Sequence, residues 1–477
     1  MKSVDIAIIG AGTAGLSARR EVAKITDNYV VIDDGELGTT CARVGCMPSK
    51  VLIQIANSYH GRLGFSKLGI SGAQHVSVDI AEALSHTRNL RDYFVGFVKE
   101  GIASWSESHL VRRSARFIDE NTLDLGDQKL KAKKIIIATG SSPVWPSPWK
   151  KFSNFLWDTD QFFEQDDLPN RIAVIGLGVI GIELGQALAR LGVQVTGVSL
   201  DKAIGGLSDP MLQMYAAETI CQEFKTIFAS AELNGPTDNG FLVTAGEQQF
   251  EVDKVLLSLG RSPNLKKLNL ENLNIPLNEH GVPAFDKGTL RIKGTDIYIA
   301  GDVTGERNLL HEAADEGRMA GYNAVRDEDF CFRRRMLLAV TFSSPEIAFI
   351  GQTWRELRNT EIEFVTGSVS YEDQGRATIM QKNKGLVHIY AERTSGKILG
   401  AEMIAPGAEH FAHLLSWIVS LELSVNDVLA LPFYHPVLEE GLRTALRDAA
   451  TKLDSTPNDL EFLRCFDPPV GCGHSLT

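Results

Sequence analysis

The chain of 477 residues, 44% hydrophobic and 23% charged, is long enough to bury several cores and predicts about three domains. Its 60 acidic against 48 basic residues, a formal net charge of -12, leave no basic field for a polyanion, which argues against nucleic acid and anionic membrane as general partners. No apolar run approaches the roughly 18 residues of a membrane span, and residues 4–9 read as a buried strand rather than a secretion signal, so the expected location is the cytoplasm.

That first strand leads into Gly10-Ala11-Gly12-Thr13-Ala14-Gly15, a helical stretch to about Ile25, and a second strand over residues 29–32 that closes on Asp33. The pattern predicts a dinucleotide-binding βαβ unit. Gly10, Gly12 and Gly15 let backbone approach a pyrophosphate, the helix start directs N–H groups at it, and Asp33 accepts from the adenosine ribose hydroxyls. Directly downstream lies Gly38-Thr39-Thr40-Cys41-Ala42-Arg43-Val44-Gly45-Cys46-Met47-Pro48-Ser49-Lys50, within which a helix is expected to begin. Six cysteines are too few for a secreted disulfide framework, so a close pair in a reducing compartment reads as catalytic, metal-binding or incidental. No second Cys/His pair at ligand spacing accompanies this one, which weighs against zinc; near a helix N-terminus a thiolate is stabilised.

Apolar runs ending in glycine recur at residues 135–140, 255–260 and 297–301, each a buried parallel strand stopping where a ligand or tight turn needs room. A second βαβ unit runs from a strand over residues 172–175, through Gly176-Leu177-Gly178-Val179-Ile180-Gly181 and a helix through Arg190, to a strand over residues 193–199. Its strand ends on Ser199, neither the acid that favours NAD nor the arginine that grips a 2'-phosphate; Asp201 would repel that phosphate and Lys202 attract it. NAD is the expected nicotinamide, with NADP left open. Beyond about residue 340, alternating strands (residues 386–391) and longer helices (residues 410–421) predict an α+β domain. The fold class is therefore α/β, two Rossmann-like dinucleotide-binding domains followed by a C-terminal α+β domain.

Near the end of that third domain, His435-Pro436 precedes Glu440. Thiol exchange needs a base, and imidazole titrates in the right range. Pro436 suits a helix start, which would leave His435 extended ahead of it and Glu440 one turn inside, able to hold the imidazole.

With these residues in view, the chain resembles the glutathione reductase and dihydrolipoamide dehydrogenase family of flavoprotein disulfide reductases over about residues 4–450. The motifs come in the family's order: the first glycine turn, CxxxxCxPSK, Ala138-Thr139-Gly140, the second glycine turn, Gly260-Arg261-Ser262-Pro263-Asn264, Gly301-Asp302, and His435-Pro436 with Glu440. Thr39 stands where a second glycine is usual, and Ala42-Arg43 replaces an apolar-Asn pair.

The resemblance implies FAD at the first unit, with Asp302 on the ribityl chain, backbone of Ala115 near the adenine, and Thr139 and Gly140 lining the site. It implies a nicotinamide at the second unit, with Gly176, Gly178, Gly181 and Ser199 in the site and Gly260 at its edge. Cys46 would face the flavin and Cys41 exchange with substrate; Lys50, partnered by Glu183, would stabilise the reduced flavin; His435 and Glu440 would serve the cysteines of the other subunit of a homodimer.

It further implies a first flavin segment over 1–150, a nicotinamide domain over 151–275, a second flavin segment over 276–338 and a dimerisation domain over 339–450. A cysteine-bearing tail over 451–477 follows. Gly400-Ala401-Glu402-Met403-Ile404 and the long helices resemble the dihydrolipoamide dehydrogenase branch, so the expected substrate is a small-molecule or lipoyl-domain dithiol. Mercuric reductase, suggested by Glu440-Gly441-Leu442 and by Cys465 and Cys472, ranks second, ahead of a glutathione-type reductase and a non-catalytic flavoprotein subunit.

Overall fold

The computed structural model describes residues 2–200 and 202–454. The chain divides into two compact units. One gathers the described residues up to Gly176 with Ala187–Ser199 and Ala229–Arg334; the other gathers Leu177–Gln186, Leu200–Phe228 and the chain from Arg335 onward.

In the first unit the strand Lys2–Ile9 pairs in parallel with Tyr29–Ile32 on one side and with Lys129–Ile137 on the other. Ile297–Ile299 adds in parallel to Lys129–Ile137, so a strand from late in the chain completes the sheet begun by the N-terminus. Both faces are covered, as near-continuous apolar strands demand. Ile135, Ile137, Ile297 and Ile299 enter one core with Phe117 and Leu123, while Ile6, Ile8, Ile136 and Tyr298 enter another with Ala14, Ala18 and Ala320. The helix Thr13–Val22 follows the glycine turn and stops three residues short of the expected end.

The second glycine turn follows Arg171–Ile175, which pairs in parallel with Gln194–Ser199 and with Lys254–Leu257, as the sequence predicts. Ala231–Thr237, Gly240–Ala245 and Gln248–Val252 form a separate antiparallel meander.

The second unit is built on an antiparallel sheet in the order Leu338–Thr341, Glu346–Gly351, Ile398–Ala405, Leu386–Glu392, Phe364–Ser370. The helices Ala408–Ser420 and Glu440–Ala450 bury Phe411, Leu415, Leu442 and Leu446 in the same core as Ile389 and Met403. Glu402, fully buried in this sheet, accepts hydrogen bonds from the backbone N–H of Ser208 (2.6 Å), Asp209 (3.1 Å) and Trp354 (2.7 Å) and from the Ser208 hydroxyl (2.5 Å). Among the described residues, no helix is long and apolar enough to cross a membrane. Cys465 and Cys472 lie outside the described residues.

Candidate functional site

The first glycine turn is shaped to take an anion. Gly10 sits at φ +113, and a Cβ there would meet Ala138 O at 2.3 Å; one on Gly15 would meet Gly10 O at 1.9 Å. A Cβ on Gly12 would meet nothing within 4 Å, so the turn is tight on its protein side and open beside the helix start. Asp33 closes its strand as expected, and its carboxylate accepts the N–H groups of Ala11 (2.6 Å) and Gly35 (2.8 Å), with Arg112 at 3.4 Å. The acid thus also fixes the turn. Ala115 is buried just before the strand Arg116–Asp119.

Two motifs distant in sequence are knitted together at the C-terminal end of this sheet. Ser141–Pro143 pairs antiparallel with Arg261–Pro263, Val144 donates to Gly260 O (3.0 Å), Asn264 donates to Gly140 O (3.0 Å), and the Asn264 amide donates to Thr139 O (3.0 Å). Gly140 and Gly260 both take positive φ, +67 and +88. The Thr139 hydroxyl is buried with no hydrogen-bond partner, which leaves a donor and acceptor for a bound group. Asp302 follows Gly301 at the head of a short helix, and its Oδ2 accepts the Ser141 hydroxyl at 2.9 Å. Ser141 Oγ in turn accepts Arg261 Nε at 2.8 Å. An open glycine turn, an orphaned hydroxyl and an anchored carboxylate fit a flavin dinucleotide. Ser141 and Arg261 shape this site without having been expected; Arg261 lay within a motif the sequence displayed, but its partner sits 120 residues away.

The two cysteines occupy two helices rather than one. Cys41 lies in the first turn of Thr40–Val44, and Cys46 opens Cys46–Gly61, with Gly45 between them. The helix-start expectation therefore holds twice over. Thr39 caps the short helix by accepting Ala42 N–H (3.3 Å) and does so at φ 64, ψ 149, a conformation costly for any side chain. The two sulfurs lie within hydrogen-bond reach of one another. The adjacent Cys46 sulfur and then burial push the Cys41 thiol far above its ordinary range, against the pull of the Cys46 N–H and the Lys50 charge. Lys50, one turn into the helix, donates to Ser49 Oγ at 3.3 Å.

Gly176 N–H donates to Val198 O (2.8 Å), and its carbonyl accepts the Ser258 hydroxyl (2.6 Å). Gly178 accepts Ile182 N–H (3.0 Å), and Gly181 lies within the helix Val179–Arg190. Ser199 ends its strand, half-buried, and the Lys202 ammonium lies 6.0 Å from the Phe228 ring. Asp201 lies outside the described residues. Glu183 is buried and accepts Phe342 N–H at 2.9 Å.

His435 and Glu440 meet as expected, by a different route. Pro436 does not open the helix: the chain turns through Val437 and Leu438, and the helix Glu440–Ala450 begins on Glu440 itself. Glu440, rather than standing one turn inside, is placed by that turn to bond both sides of the loop. Its oxygens lie 3.0 and 3.1 Å from His435 Nδ1, and Oε2 also accepts Val437 N–H (3.3 Å). The His435 hydrogen bond holds the Glu440 carboxyl below its ordinary range, opposed by partial burial. The imidazole's side chain is 79% exposed, with Nε2 directed away from this anchor.

Paired glycine-turn units, a dithiol at the head of a helix and an imidazole anchored by a carboxylate define a nucleotide-dependent oxidoreductase working through cysteine sulfur. Residues 4–317 match the profile for pyridine nucleotide-disulphide oxidoreductases, residues 338–446 match that family's dimerisation domain, and the chain belongs to this family. Its members bind FAD and depend on NAD or NADP. The chain is 28% identical over 457 residues to a mercuric reductase of Shigella flexneri, covering 93% of this chain and 80% of that protein. It is also 28% identical over 449 residues to a dihydrolipoyl dehydrogenase of Geobacillus stearothermophilus, covering 91% and 93%. Among solved structures, LpdA from Mycobacterium tuberculosis shares the fold at a TM-score of 0.80 and 24% identity, covering 94% of this chain and 99% of that one. The HOCl-induced flavoprotein disulfide reductase RclA from Escherichia coli, as its Cu(II) complex, does so at 0.81 and 21%, with the same coverage.

Proposed function

We propose that the chain is a dihydrolipoamide dehydrogenase, acting in the cytoplasm as a homodimer, that oxidises dihydrolipoamide to lipoamide and reduces NAD to NADH. The observation that carries the reading is the His435–Glu440 couple, since a dithiol substrate must lose protons before its sulfur can attack, and several relatives of similar identity bear this name. In this reading Gly10, Gly12, Gly15, Asp33, Ala115, Thr139, Gly140 and Asp302 hold FAD. Gly176, Gly178, Gly181, Ser199 and Gly260 hold the nicotinamide. The flavin, when bound, supplies the link between two-electron hydride chemistry and thiol exchange.

The protein's own part is proton and sulfur handling. His435 of one subunit takes a proton from the substrate dithiol. The resulting thiolate attacks Cys41 Sγ of the Cys41–Cys46 disulfide, and the S–S bond breaks with Cys46 leaving as thiolate. The second substrate sulfur then attacks the first, displacing Cys41 and closing the substrate disulfide; Cys41 leaves as a thiol with the second substrate proton, while His435 keeps the first. Lys50, one turn beyond Cys46, would bring a positive charge to the sulfurs and to a bound flavin.

A second reading, mercuric reductase, is favoured by the Shigella flexneri relative and by the tail cysteines. Turnover of dihydrolipoamide, oxidised glutathione and mercuric ion, each with NAD(H) and NADP(H), decides between them. Dihydrolipoamide with NAD is expected to be the fastest pair by about tenfold or more. Mercuric ion with NADPH exceeding it would replace the proposal.

A further inference from the structure

Behind the Gly301–Asp302 loop lies a buried charge cluster that the reaction described above does not use. Glu312 and Glu316, on the helix Leu310–Ala324, are 3% and 2% exposed. Arg307 binds Glu312 at 2.7 Å, and Arg334, the last residue of its unit, binds Glu312 at 3.1 Å and Glu316 more closely still. An ion cluster is not in itself stabilising when buried, because desolvation offsets most of the attraction. Here, however, one oxygen is directed elsewhere. Glu316 Oε2 accepts the backbone N–H of Gly301 at 2.7 Å.

Gly301 is confined by its surroundings. It sits at φ +85, and a Cβ there would meet Ala14 Cβ at 2.8 Å and Ala313 Cβ at 3.5 Å, so the loop is pressed between the glycine-turn helix and the Glu316 helix. Its N–H points into that interior, where the alternative to Glu316 is an unsatisfied buried donor. The next residue is Asp302, held on its other side by the chain Arg261 to Ser141 to Asp302. The two hydrogen bonds act on adjacent residues from opposite sides. One sets the peptide at Gly301, the other the carboxylate at Asp302.

We infer that Glu316 is a positioning residue for the flavin, fixing the Gly301 peptide and through it the orientation in which Asp302 meets the ribityl chain. The inference rests on the proposed role of Asp302. Arg334 keeps Glu316 pointed at Gly301 and is itself the head of the connector into the α+β unit. Burial pushes the Glu316 carboxyl up to about 7 despite Arg334 and the Gly301 N–H, with Glu312 and Glu306 adding repulsion; its ionised form is one the fold holds at a cost.

The substitution pair Glu316→Gln and Glu316→Leu separates a positioning role from a purely structural ion pair. Both abolish the ion pair with Arg334, and only Gln keeps an acceptor for the Gly301 N–H. The measurement is the rate of FAD release from purified holoenzyme, followed by the rise in flavin fluorescence on dilution, with the melting temperature of the stripped proteins as a check on folding. E316Q is expected within about threefold of wild type and E316L at least about tenfold faster, the scale of one buried donor left unsatisfied. The flavin midpoint potential should shift in E316L alone. Release of FAD from E316Q about tenfold faster than wild type would overturn the inference without reference to E316L, since the hydrogen bond would then not be what matters. Equal release from wild type and E316L would overturn it as well. Asp302→Ala releasing FAD no faster than wild type would instead remove the Asp302 reading on which it rests.

Discussion

Replacing Glu440 by glutamine removes one charge from the His435 anchor while preserving its shape. In the native loop both carboxylate oxygens face His435 Nδ1, at 3.0 and 3.1 Å, and one also receives Val437 N–H. A hydrogen bond to a charged acceptor is worth about 1 kcal/mol more than one to a neutral acceptor, and the exposure of the imidazole limits any larger gain. One kcal/mol corresponds to roughly fivefold in rate. E440Q is therefore expected to slow the dithiol half-reaction about fivefold in stopped-flow reduction by dihydrolipoamide and to leave reoxidation by the nicotinamide at its wild-type rate. Equal slowing of both half-reactions, or no slowing of either, would refute the placement of this pair in the proton path.

The same substitution carries a stability signature whose sign follows from the depressed carboxyl. Because the folded value lies below the ordinary 4.5, the contribution of Glu440 is fully present above that pH and is lost as pH falls through the folded value. The part of the melting-temperature difference between wild type and E440Q that comes from the carboxyl should therefore shrink as pH falls below about 4.5.

His435→Ala is expected to lower dithiol turnover about 100-fold while flavin reduction by the nicotinamide survives, and mixing it with Cys41→Ser subunits should restore activity through the one intact shared site in each mixed dimer. Mixed dimers that form but stay inactive would exclude a base from the other subunit. Partial reduction of the holoenzyme should produce a long-wavelength charge-transfer absorbance that Cys46→Ser abolishes; persistence of that band in the variant would reassign the flavin-facing sulfur. Glu402→Ala would strand four donors, three of them buried, and should destabilise the fold by about 3 kcal/mol or more, read as faster thermal inactivation, whereas Glu402→Gln should cost less. Equal inactivation rates for Glu402→Ala and wild type would show that those hydrogen bonds contribute nothing.

What the sequence displayed was chemistry confined to short segments. The glycine turns were legible because Gly10 and Gly15 face backbone at distances no side chain tolerates, a demand that excludes all other residues. The strand positions followed from apolar runs, and His435 could be matched to Glu440 because the two lie within five residues of one another. The route between them was not legible, since proline is compatible with both a helix start and a turn, and the loop through Val437 and Leu438 decides between the two. Gly45 likewise divides the cysteine segment into two helices where the residue pattern suggested one. Long-range partners were not legible. Nothing in the sequence joins Ser141 to Asp302, or Arg334 to Glu316, because which faces of two helices and a sheet end meet is settled only when the chain is packed.

Thr39 constrains how this site can change over generations. Its side chain stands at a backbone conformation that favours glycine, and its hydroxyl caps the helix bearing Cys41. A step to alanine would retain the conformational strain and forfeit the cap, so that direction is closed to gradual change. Serine keeps the hydroxyl at the same strain, and glycine relieves the strain at little loss of capping, which makes serine the passable stage between threonine and glycine. A line of descent from threonine to glycine at this position would therefore run through serine more readily than through alanine.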